Sequence, residues 1–173
     1  MADKVVAVLG ATGVVGTQML QCLEERSFPV KRLVPLASAR SQGRSVVFGG
    51  EELPVREARP ETFDGVDIVL GAAGDAQARE LLPEAARRGA VCVDNSHAFR
   101  LDEDVPLVIP EINAEDIQDH PRGIISNPNC ATTIGLVPTW PLHRVAGLRR
   151  MIVSTYQAAS GAGMGGLKEL ERE

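Results

Sequence analysis

The architecture of this chain is set near its start, by Val5-Val6-Ala7-Val8-Leu9-Gly10-Ala11-Thr12-Gly13-Val14-Val15-Gly16. The apolar residues that open this stretch predict a buried strand, and the apolar positions from Val14 to Leu23 recur as they do along one side of a helix. Between strand and helix stand glycines in the pattern GxxGxxG, which let the backbone turn sharply and come close to a phosphate. An ordinary turn is the alternative, but the position between the first strand and the first helix favours a nucleotide-binding loop.

The rest of the chain alternates between strand-like and helix-like segments. Strand-like runs lie at residues 30–37, 67–72, 90–93 and 123–125, and helices are predicted at about 76–88 and from residue 130 onward. Residues 45–48 and 53–56 flank Gly49-Gly50 and predict a small hairpin, whereas residues 101–119 predict a loop with one short helix. This alternation predicts an α/β fold: a Rossmann-like, mostly parallel sheet with helices on both faces.

The character of the sequence changes at Gly147. Residues 148–158 are rich in β-forming side chains and predict a strand, and the glycine-dense residues 160–166 follow. We therefore expect a second domain to begin near this point. Residues 167–173 form helices readily and contain no cap or breaker, so we expect this second domain to be incomplete in the chain.

Composition argues against a nucleic-acid or membrane partner. The 173 residues include 18 basic and 23 acidic side chains, with no long run of one charge. The chain starts without the features of a signal peptide, and no apolar stretch comes near the roughly 20 residues that cross a bilayer, so we expect a cytoplasmic protein. The cysteines at positions 22, 92 and 130 have neither CxxC spacing nor histidines at metal-site intervals, so neither disulfides nor a metal site are predicted.

The end of the second strand indicates which dinucleotide binds. An NAD-binding fold of this type usually ends that strand with Asp or Glu, which holds the ribose hydroxyls, and residues 30–41 contain neither. They end instead in Ser38-Ala39-Arg40-Ser41, and two hydroxyls around a guanidinium suit a ribose 2′-phosphate. The sequence therefore predicts NADP as the cofactor, the alternative being an ordinary solvated turn.

Loops after the third and fourth strands add candidate contacts at the same edge of the sheet. Gly71-Ala72-Ala73-Gly74 lets the backbone approach a dinucleotide or, alternatively, permits close packing of a helix. Asp94-Asn95-Ser96-His97-Ala98-Phe99-Arg100 follows the fourth strand, and the Arg100 guanidinium suits a phosphate, although Arg100 taken alone reads as a surface residue. His97, like His120 and His143, reads as a polar surface residue rather than a catalyst.

A cysteine stands where a loop becomes a helix, within Ser126-Asn127-Pro128-Asn129-Cys130-Ala131-Thr132-Thr133. Asn129 is a natural helix cap, and Pro128 before it stiffens the entry. Backbone N–H groups and the positive end of the helix dipole stabilise a thiolate at this place, which makes Cys130 a candidate nucleophile. The alternative is that Cys130 is a small buried apolar residue.

These motifs, taken together and in this order, resemble those of aspartate-semialdehyde dehydrogenase. The matching stretches are GATGVVG, SARSQG, DNSHAFR, PLVIPEIN, SNPNCATT and STYQAASGAG, of which the last two are the specific ones. A family related in fold and chemistry, N-acetyl-glutamyl-phosphate reductase, typically has Gly-Cys-Tyr around its nucleophile, where this chain has Asn129-Cys130-Ala131. The resemblance therefore favours the aspartate enzyme.

The resemblance implies NADPH-dependent reduction of β-aspartyl phosphate to aspartate β-semialdehyde with release of phosphate, an early step toward lysine, methionine and threonine. Cys130 would form a thioester with the acyl group, which hydride from NADPH then reduces to the aldehyde. Gln157 would orient the substrate, Asn129 would lie beside the reacting group and Arg100 would bind the phosphate. The implied cofactor contacts are Gly10, Thr12, Gly13, Val14, Ser38, Arg40 and Ser41, with Gly161 and Gly163 near the nicotinamide.

The resemblance also implies domains and partners. Residues 1–129 correspond to the NADP-binding Rossmann-like domain, and residues 130–173 to the nucleophile helix and the beginning of an α+β catalytic and dimerisation domain. The family's acid/base histidine and its arginine for the substrate carboxylate lie further along than Glu173, so we expect this fragment to have little activity alone. The parent enzyme is expected to be a homodimer or homotetramer. Two alternatives stay open, a non-catalytic NADP-binding module and a reductase of N-acetyl-glutamyl phosphate.

Overall fold

The structure is a computed structural model that describes residues 4–172, apart from the side chains at positions 162, 163, 164 and 167. Its centre is a six-stranded sheet in which every neighbouring pair is parallel, and a separate antiparallel hairpin lies beside it. The order of strands across the main sheet is β5-β2-β1-β6-β7-β8. The strands are β1 Lys4–Leu9, β2 Val30–Ala37, β3 Ser45–Phe48, β4 Glu51–Pro54, β5 Arg56–Glu57, β6 Ile68–Gly71, β7 Val91–Asp94 and β8 Ile124–Ser126.

Within residues 4–172, five α-helices accompany the strands, together with four short 3₁₀ segments. The α-helices are α1 Val14–Glu25, α2 Asp75–Arg87, α3 Pro110–Asn113, α4 Cys130–Ala146 and α5 Gly163–Leu170. The predicted helices at 14–23 and 76–88 therefore lie within two residues of α1 and α2. None of the helices between residues 4 and 172 is long and apolar enough to cross a membrane.

Strand β1 is buried on both faces because helices cover both sides of the sheet. Its side chains alternate: Val6 and Val8 join a cluster that contains Leu20 of α1, whereas Ala7 and Leu9 join a cluster that contains Leu82 of α2. Burying a side chain such as Leu82 contributes about 1.5–3 kcal/mol, so these two clusters hold the sheet between its helices. The predicted Rossmann-like fold with helices on both faces is confirmed.

The parallel arrangement brings the loops after the strands to one edge of the sheet. Strand β1 lies between β2 and β6, so the chain runs in one direction across the sheet from β1 to β2 and in the other from β6 to β8. Ligands of open α/β sheets bind in the crevice at this reversal, outside the carboxyl ends of the strands. The loops that begin at residues 10, 38, 72, 95 and 127 all lie at this edge.

Two expectations about strands need correction. The predicted hairpin strand at 53–56 is split, since β4 ends at Pro54 and the next residues leave the hairpin to join β2 of the main sheet as β5. The break falls at Val55, which is buried and donates its N–H to the carbonyl oxygen of Arg44 at 2.9 Å. The strand predicted at 148–158 is wrong: residues 147–158 have no regular structure, because none of the described residues pairs with them.

Candidate active site

Cys130 is the first residue of α4, as the sequence predicts. The cap is Asn129, whose side-chain oxygen accepts a hydrogen bond from the backbone N–H of Ala131 at 2.9 Å. Cys130 is exposed, so the alternative of a buried apolar cysteine is wrong. The buried cysteine is Cys92 in β7, where desolvation raises the pKa of the thiol to about 12. Of these two thiols, only Cys130 can meet a substrate.

The amide oxygen of Asn129 joins the thiol to a distant part of the chain. It accepts a second hydrogen bond from Nε2 of Gln157 at 3.1 Å, and the Sγ atom of Cys130 lies 4.0 Å away. Gln157 belongs to the irregular segment after α4, so the fold brings together three residues that the sequence predicts to act together. Cys130 and Gln157 both line a largely apolar cavity of about 480 Å³ that also includes Ile134, Tyr156 and Gly161.

Arg100 is half-buried beside the loop that leads to Cys130. Its Nε donates to the carbonyl oxygen of Asn127 at 2.9 Å, and its Nη2 donates to the carbonyl oxygen of Asn95 at 3.0 Å. Among residues 4–172, Arg100 forms no ion pair with a carboxylate. Its charge is therefore available to an anion, which a surface arginine paired with a carboxylate would not offer.

The glycine loop after β1 has no room for side chains at two of its positions. Gly10 has a φ of +90°, and a Cβ there would stand 2.6 Å from the carbonyl oxygen of Ala72. A Cβ at Gly16 would overlap the carbonyl oxygen of Gly10. The N–H groups of Gly10 and Ala11 both donate to the carbonyl oxygen of Leu36 in β2, at 2.8 and 3.0 Å. The loop is thus fixed on the sheet, and the start of α1 has N–H groups free for an anion.

The residues predicted to choose the cofactor lie next to this loop. The hydroxyls of Thr12 and Ser41 are 3.1 Å apart and form a hydrogen bond, which links the glycine loop to the loop after β2. Ser38 precedes a single 3₁₀ turn, Ala39–Ser41, on which Arg40 is exposed. The structure therefore brings together all of the predicted contacts before residue 42, namely Gly10, Thr12, Gly13, Val14, Ser38, Arg40 and Ser41.

The two later glycines are placed differently. Gly161 lines the cavity at Cys130, and a Cβ there would stand 3.9 Å from the side-chain oxygen of Gln157. Gly163 is the first residue of α5, which approaches α1. The surroundings of Gly163 lie outside what the structure describes, so its predicted contact with the nicotinamide stays a prediction.

The sequence did not single out three polar residues that shape the site. Asp94 is fully buried and accepts hydrogen bonds from the N–H and the hydroxyl of Ser96, at 3.1 and 2.6 Å. Burial raises the pKa of Asp94, although these hydrogen bonds and the charge of Arg100 act against that rise. Asn95 and Asn127 bond to each other through their side chains at 2.9 Å. Only Asp94 has a local signal, because Asp-x-Ser is typical of a turn closed by the carboxylate.

The histidines are not brought to Cys130 by any described contact. His97 lies at the same sheet edge as Arg100, where its N–H donates to a carboxylate oxygen of Asp75 at 2.9 Å. The ring of His143 stacks on Trp140 within α4, and Nδ1 of His120 bonds to the carbonyl oxygen of Ile117. Within residues 4–172, no group of three or more His, Cys, Asp or Glu side chains is arranged to hold a metal ion.

Residues 5–120 match the family model described as semialdehyde dehydrogenase, NAD binding domain. The chain belongs to the semialdehyde dehydrogenase family. The aspartate-semialdehyde dehydrogenase of Bacillus subtilis strain 168 is 52% identical over 165 residues, which cover 95% of this chain and 47% of that relative. The predicted family is confirmed, and the chain spans about half the length of the curated relatives it matches.

Solved semialdehyde dehydrogenase structures share this fold. The aspartate semialdehyde dehydrogenase II of Vibrio cholerae, solved as a complex with ASA, superposes with a TM-score of 0.95 at 42% identity and covers 99% of this chain and 52% of its own. An enzyme from Candida albicans solved with NADP gives a TM-score of 0.74 at 26% identity, covering 85% of this chain and 48% of its own. The likeness extends beyond the NAD-binding domain to the segment that holds Gln157.

Proposed function

We propose that this chain supplies the NADP-binding and nucleophile-bearing part of an aspartate-semialdehyde dehydrogenase. The reaction is the NADPH-dependent reduction of β-aspartyl phosphate to aspartate β-semialdehyde with release of phosphate. The observation that carries the proposal is the exposed thiol of Cys130 at the start of α4, next to the amide oxygen of Asn129 that also holds Gln157.

The residues of the chain have distinct roles in this proposal. The Cys130 thiolate, at the exposed start of α4, attacks the acyl carbon, and the bond from that carbon to the phosphate oxygen breaks. The phosphate leaves toward Arg100, whose guanidinium has no carboxylate partner among residues 4–172. The acyl group is then a thioester on Cys130, and Gln157 orients it in this proposal. NADPH bound at the glycine loop would supply the hydride to the acyl carbon, and breaking of the bond from that carbon to Sγ would release the semialdehyde and restore the Cys130 thiol.

The loop after β1 fits a dinucleotide because its glycines leave no space for a Cβ at positions 10 and 16. The loop after β2 fits the 2′-phosphate of NADP, since Arg40 and two hydroxyls stand where NAD-specific proteins have a carboxylate. The family's description as an NAD-binding domain and the NADP-bound relative from Candida albicans support this choice.

The cofactor preference is tested by titrating NADPH and NADH fluorescence against the chain. We expect NADPH to bind more tightly, and Arg40→Ala to weaken NADPH binding by about 10- to 100-fold, the loss of one charged hydrogen bond, while leaving NADH unchanged. Arg44→Ala is the matched control, because Arg44 is a neighbouring exposed arginine outside the predicted contact set. Equal affinity of the unaltered chain for both cofactors would sink the NADP assignment.

The chemistry is tested in a hybrid that joins residues 1–165 of this chain to the remaining part of the Bacillus subtilis relative. We expect the hybrid to reduce β-aspartyl phosphate with NADPH, and the Cys130→Ala hybrid to bind NADPH without turnover. The 173-residue chain alone is expected to bind NADPH and to show little or no turnover. Retained turnover in the Cys130→Ala hybrid would remove Cys130 from the mechanism.

The same chain and hybrid enzyme distinguish two alternative functions. A non-catalytic NADP-binding module predicts NADPH binding and no thiol-dependent chemistry even in the hybrid. A reductase of N-acetyl-glutamyl phosphate predicts that the hybrid prefers the longer semialdehyde when both are offered in the reverse direction. The Asn129-Cys130-Ala131 sequence and the named relatives support the aspartate substrate.

A further inference from the structure

Asn127 stands where two loops of the active-site edge meet, three residues before Cys130. Its backbone N–H donates to the carbonyl oxygen of Asp94 at 3.1 Å, and its own carbonyl oxygen accepts from Nε of Arg100 at 2.9 Å. Its side-chain Nδ2 donates to Oδ1 of Asn95 at 2.9 Å and to the carbonyl oxygen of Pro128 at 3.2 Å. Asn127 thus joins the loop after β7 to the loop that carries the nucleophile.

Asn95, in the loop after β7, contacts both Arg100 and Asn127. Its carbonyl oxygen accepts from Nη2 of Arg100 at 3.0 Å, while its side chain accepts from Asn127. Asn95, Arg100 and Asn127 therefore form a ring of contacts, which we call the amide clamp. Each asparagine holds one nitrogen of the same guanidinium by its backbone and holds the other asparagine by its side chain.

The chemistry of the amide clamp differs from that of an ordinary buried arginine. A guanidinium has five N–H donors, and the amide clamp uses two of them, which leaves three for another acceptor. Both partners in the clamp are neutral carbonyl oxygens, so the positive charge of Arg100 is fixed in place without being cancelled. A carboxylate at either asparagine position would hold the arginine as firmly but would neutralise it toward an anion.

The clamp also connects the Arg100 guanidinium to the segment of chain that carries the Cys130 thiol. Arg100 is bonded to the backbone of Asn127, and three residues span roughly 11 Å at most between Cα atoms. Asn129 and Cys130 are in turn fixed by the helix cap. The backbone of Asn127 therefore links the guanidinium to the helix cap that holds Cys130, and the side-chain amide contact joins Asn127 to the other loop that holds the guanidinium.

We infer that Asn127 and Asn95 are positioning residues, whose side-chain amide contact places the Arg100 guanidinium for the phosphate that leaves Cys130. The inference rests on the proposed function, in which Arg100 binds that phosphate. Among the described hydrogen bonds, neither side-chain amide contacts the Arg100 guanidinium or the Cys130 thiol. Their neutrality matters as much as their geometry, because neither side chain adds a negative charge beside the cation.

The test uses the 173-residue chain and two alkylating reagents. Iodoacetate is an anion and iodoacetamide is neutral, so the ratio of their rates at Cys130, measured by peptide mass spectrometry, reports a cation placed beside the thiol. Dividing by the iodoacetamide rate removes any change in general thiol reactivity. Cys22 is also exposed and lies on α1, so its ratio is the internal reference.

We expect the ratio at Cys130 to exceed that at Cys22 and to fall as inorganic phosphate is added at constant ionic strength. Without any phosphate, Arg100→Met is expected to lower the ratio at Cys130 to the value that the unaltered chain reaches when phosphate is added. Asn127→Ala is expected to raise about tenfold the phosphate concentration that produces half of the fall in the ratio at Cys130. This increase corresponds to the loss of one hydrogen bond. Asn95→Ala is expected to do the same, and the double variant to do no more than Asn127→Ala, because both act through one contact.

The matched control is Asn113→Ala, which removes an amide that bonds to the backbone of Leu107 and Ile109 and makes no contact with Arg100. Its ratio is expected to equal that of the unaltered chain. Should Asn127→Ala not fold, Asn95→Ala decides alone, since it removes the same amide contact and keeps the Asn127 side-chain bond to Pro128. Circular dichroism identifies that case.

The outcomes separate this inference from the proposed function. A ratio at Cys130 that responds to neither phosphate nor Arg100→Met shows that Arg100 is not the phosphate site, and both proposals then fall. A ratio that responds to both, with Asn127→Ala and Asn95→Ala like the unaltered chain, overturns the positioning role alone. The positioning role is also overturned if the effects of the two single variants multiply in the double variant. Multiplying effects would mean that the two asparagines act independently.

Discussion

Alanine substitutions in the glycine loop separate steric overlap from backbone strain. Gly16 lies inside α1, where a Cβ would overlap the carbonyl oxygen of Gly10 and stand 2.9 Å from Cα of Ala11. These are backbone atoms of the turn after β1, so no side chain can rotate away. We expect Gly16→Ala to lose about 3 kcal/mol to this overlap and to regain about 1 kcal/mol from helix propensity, a net loss of about 2 kcal/mol.

Three other glycines are compared with Gly16. Gly89 has a φ of +92° with nothing within 4 Å of a built Cβ, so Gly89→Ala measures the backbone term alone, about 1–2 kcal/mol. Gly13 has a φ of −84°, and its Cβ would meet only the carbonyl oxygen of Gly10 at 3.3 Å, so Gly13→Ala is expected to cost less than about 0.5 kcal/mol. Gly10→Ala combines strain and overlap and is expected to lose about 4 kcal/mol.

Urea unfolding followed by far-ultraviolet circular dichroism measures these free energies, with the slope against urea checked for two-state behaviour. The order expected is Gly13, Gly89, Gly16 and Gly10, from least to most destabilising. The reasoning is refuted by a Gly16→Ala chain as stable as the unaltered one, or by Gly10→Ala no worse than Gly89→Ala. The first result would mean that α1 moves away from the glycine loop at little cost, and the second that the loop moves away from Ala72 at little cost.

Three further outcomes are expected. In the folded chain, we expect iodoacetamide to modify Cys130 readily and Cys92 hardly at all, because Cys92 is buried and its thiol pKa is raised to about 12. Peptide mass spectrometry measures the labelling, and comparable labelling of the two cysteines would contradict this expectation. Asn129→Ala removes a cap worth about 1 kcal/mol and speeds amide hydrogen exchange at the start of α4 about fivefold, whereas Asn129→Asp keeps the cap; equal exchange in the two variants would count against the cap. Burial raises the pKa of Asp94 above its ordinary 3.8, so between these two pKa values the folded chain holds a proton that the unfolded chain has released. Its contribution to stability is therefore fully present below pH 3.8 and is lost as the pH rises through the raised pKa; Asp94→Asn flattens this part of the urea-unfolding profile, and an unchanged profile would reject the assignment.

Much of the fold follows from local sequence because the decisive signals are local. The apolar run before Gly10 and the 3.6-residue pattern after Gly13 predict β1 and α1, and the strand predicted at 30–37 agrees with β2 at both ends. The start of α4 is predicted for the same reason, since a cap acts within three residues of itself.

The missed features depend on contacts between distant parts of the chain. Strand β5 exists only because β2 offers an open edge, and residues 148–158 lack a partner among the described residues, so β propensity alone misleads there. The contact between Asn95 and Asn127 joins residues 32 apart. No spacing rule links two amides across separate loops, and neither position stands out by composition.

The attachment of the glycine loop to Leu36 has a kinetic consequence. The carbonyl oxygen of Leu36 belongs to β2, the partner of β1, and it receives N–H groups from both Gly10 and Ala11. The loop therefore cannot swing open as a lid unless the central pair of strands separates. We expect the rate of cofactor exchange to be limited by dissociation of the nucleotide from a glycine loop that stays in place. We also expect amide hydrogen exchange at Gly10 and Ala11 to be as slow as in the middle of β1.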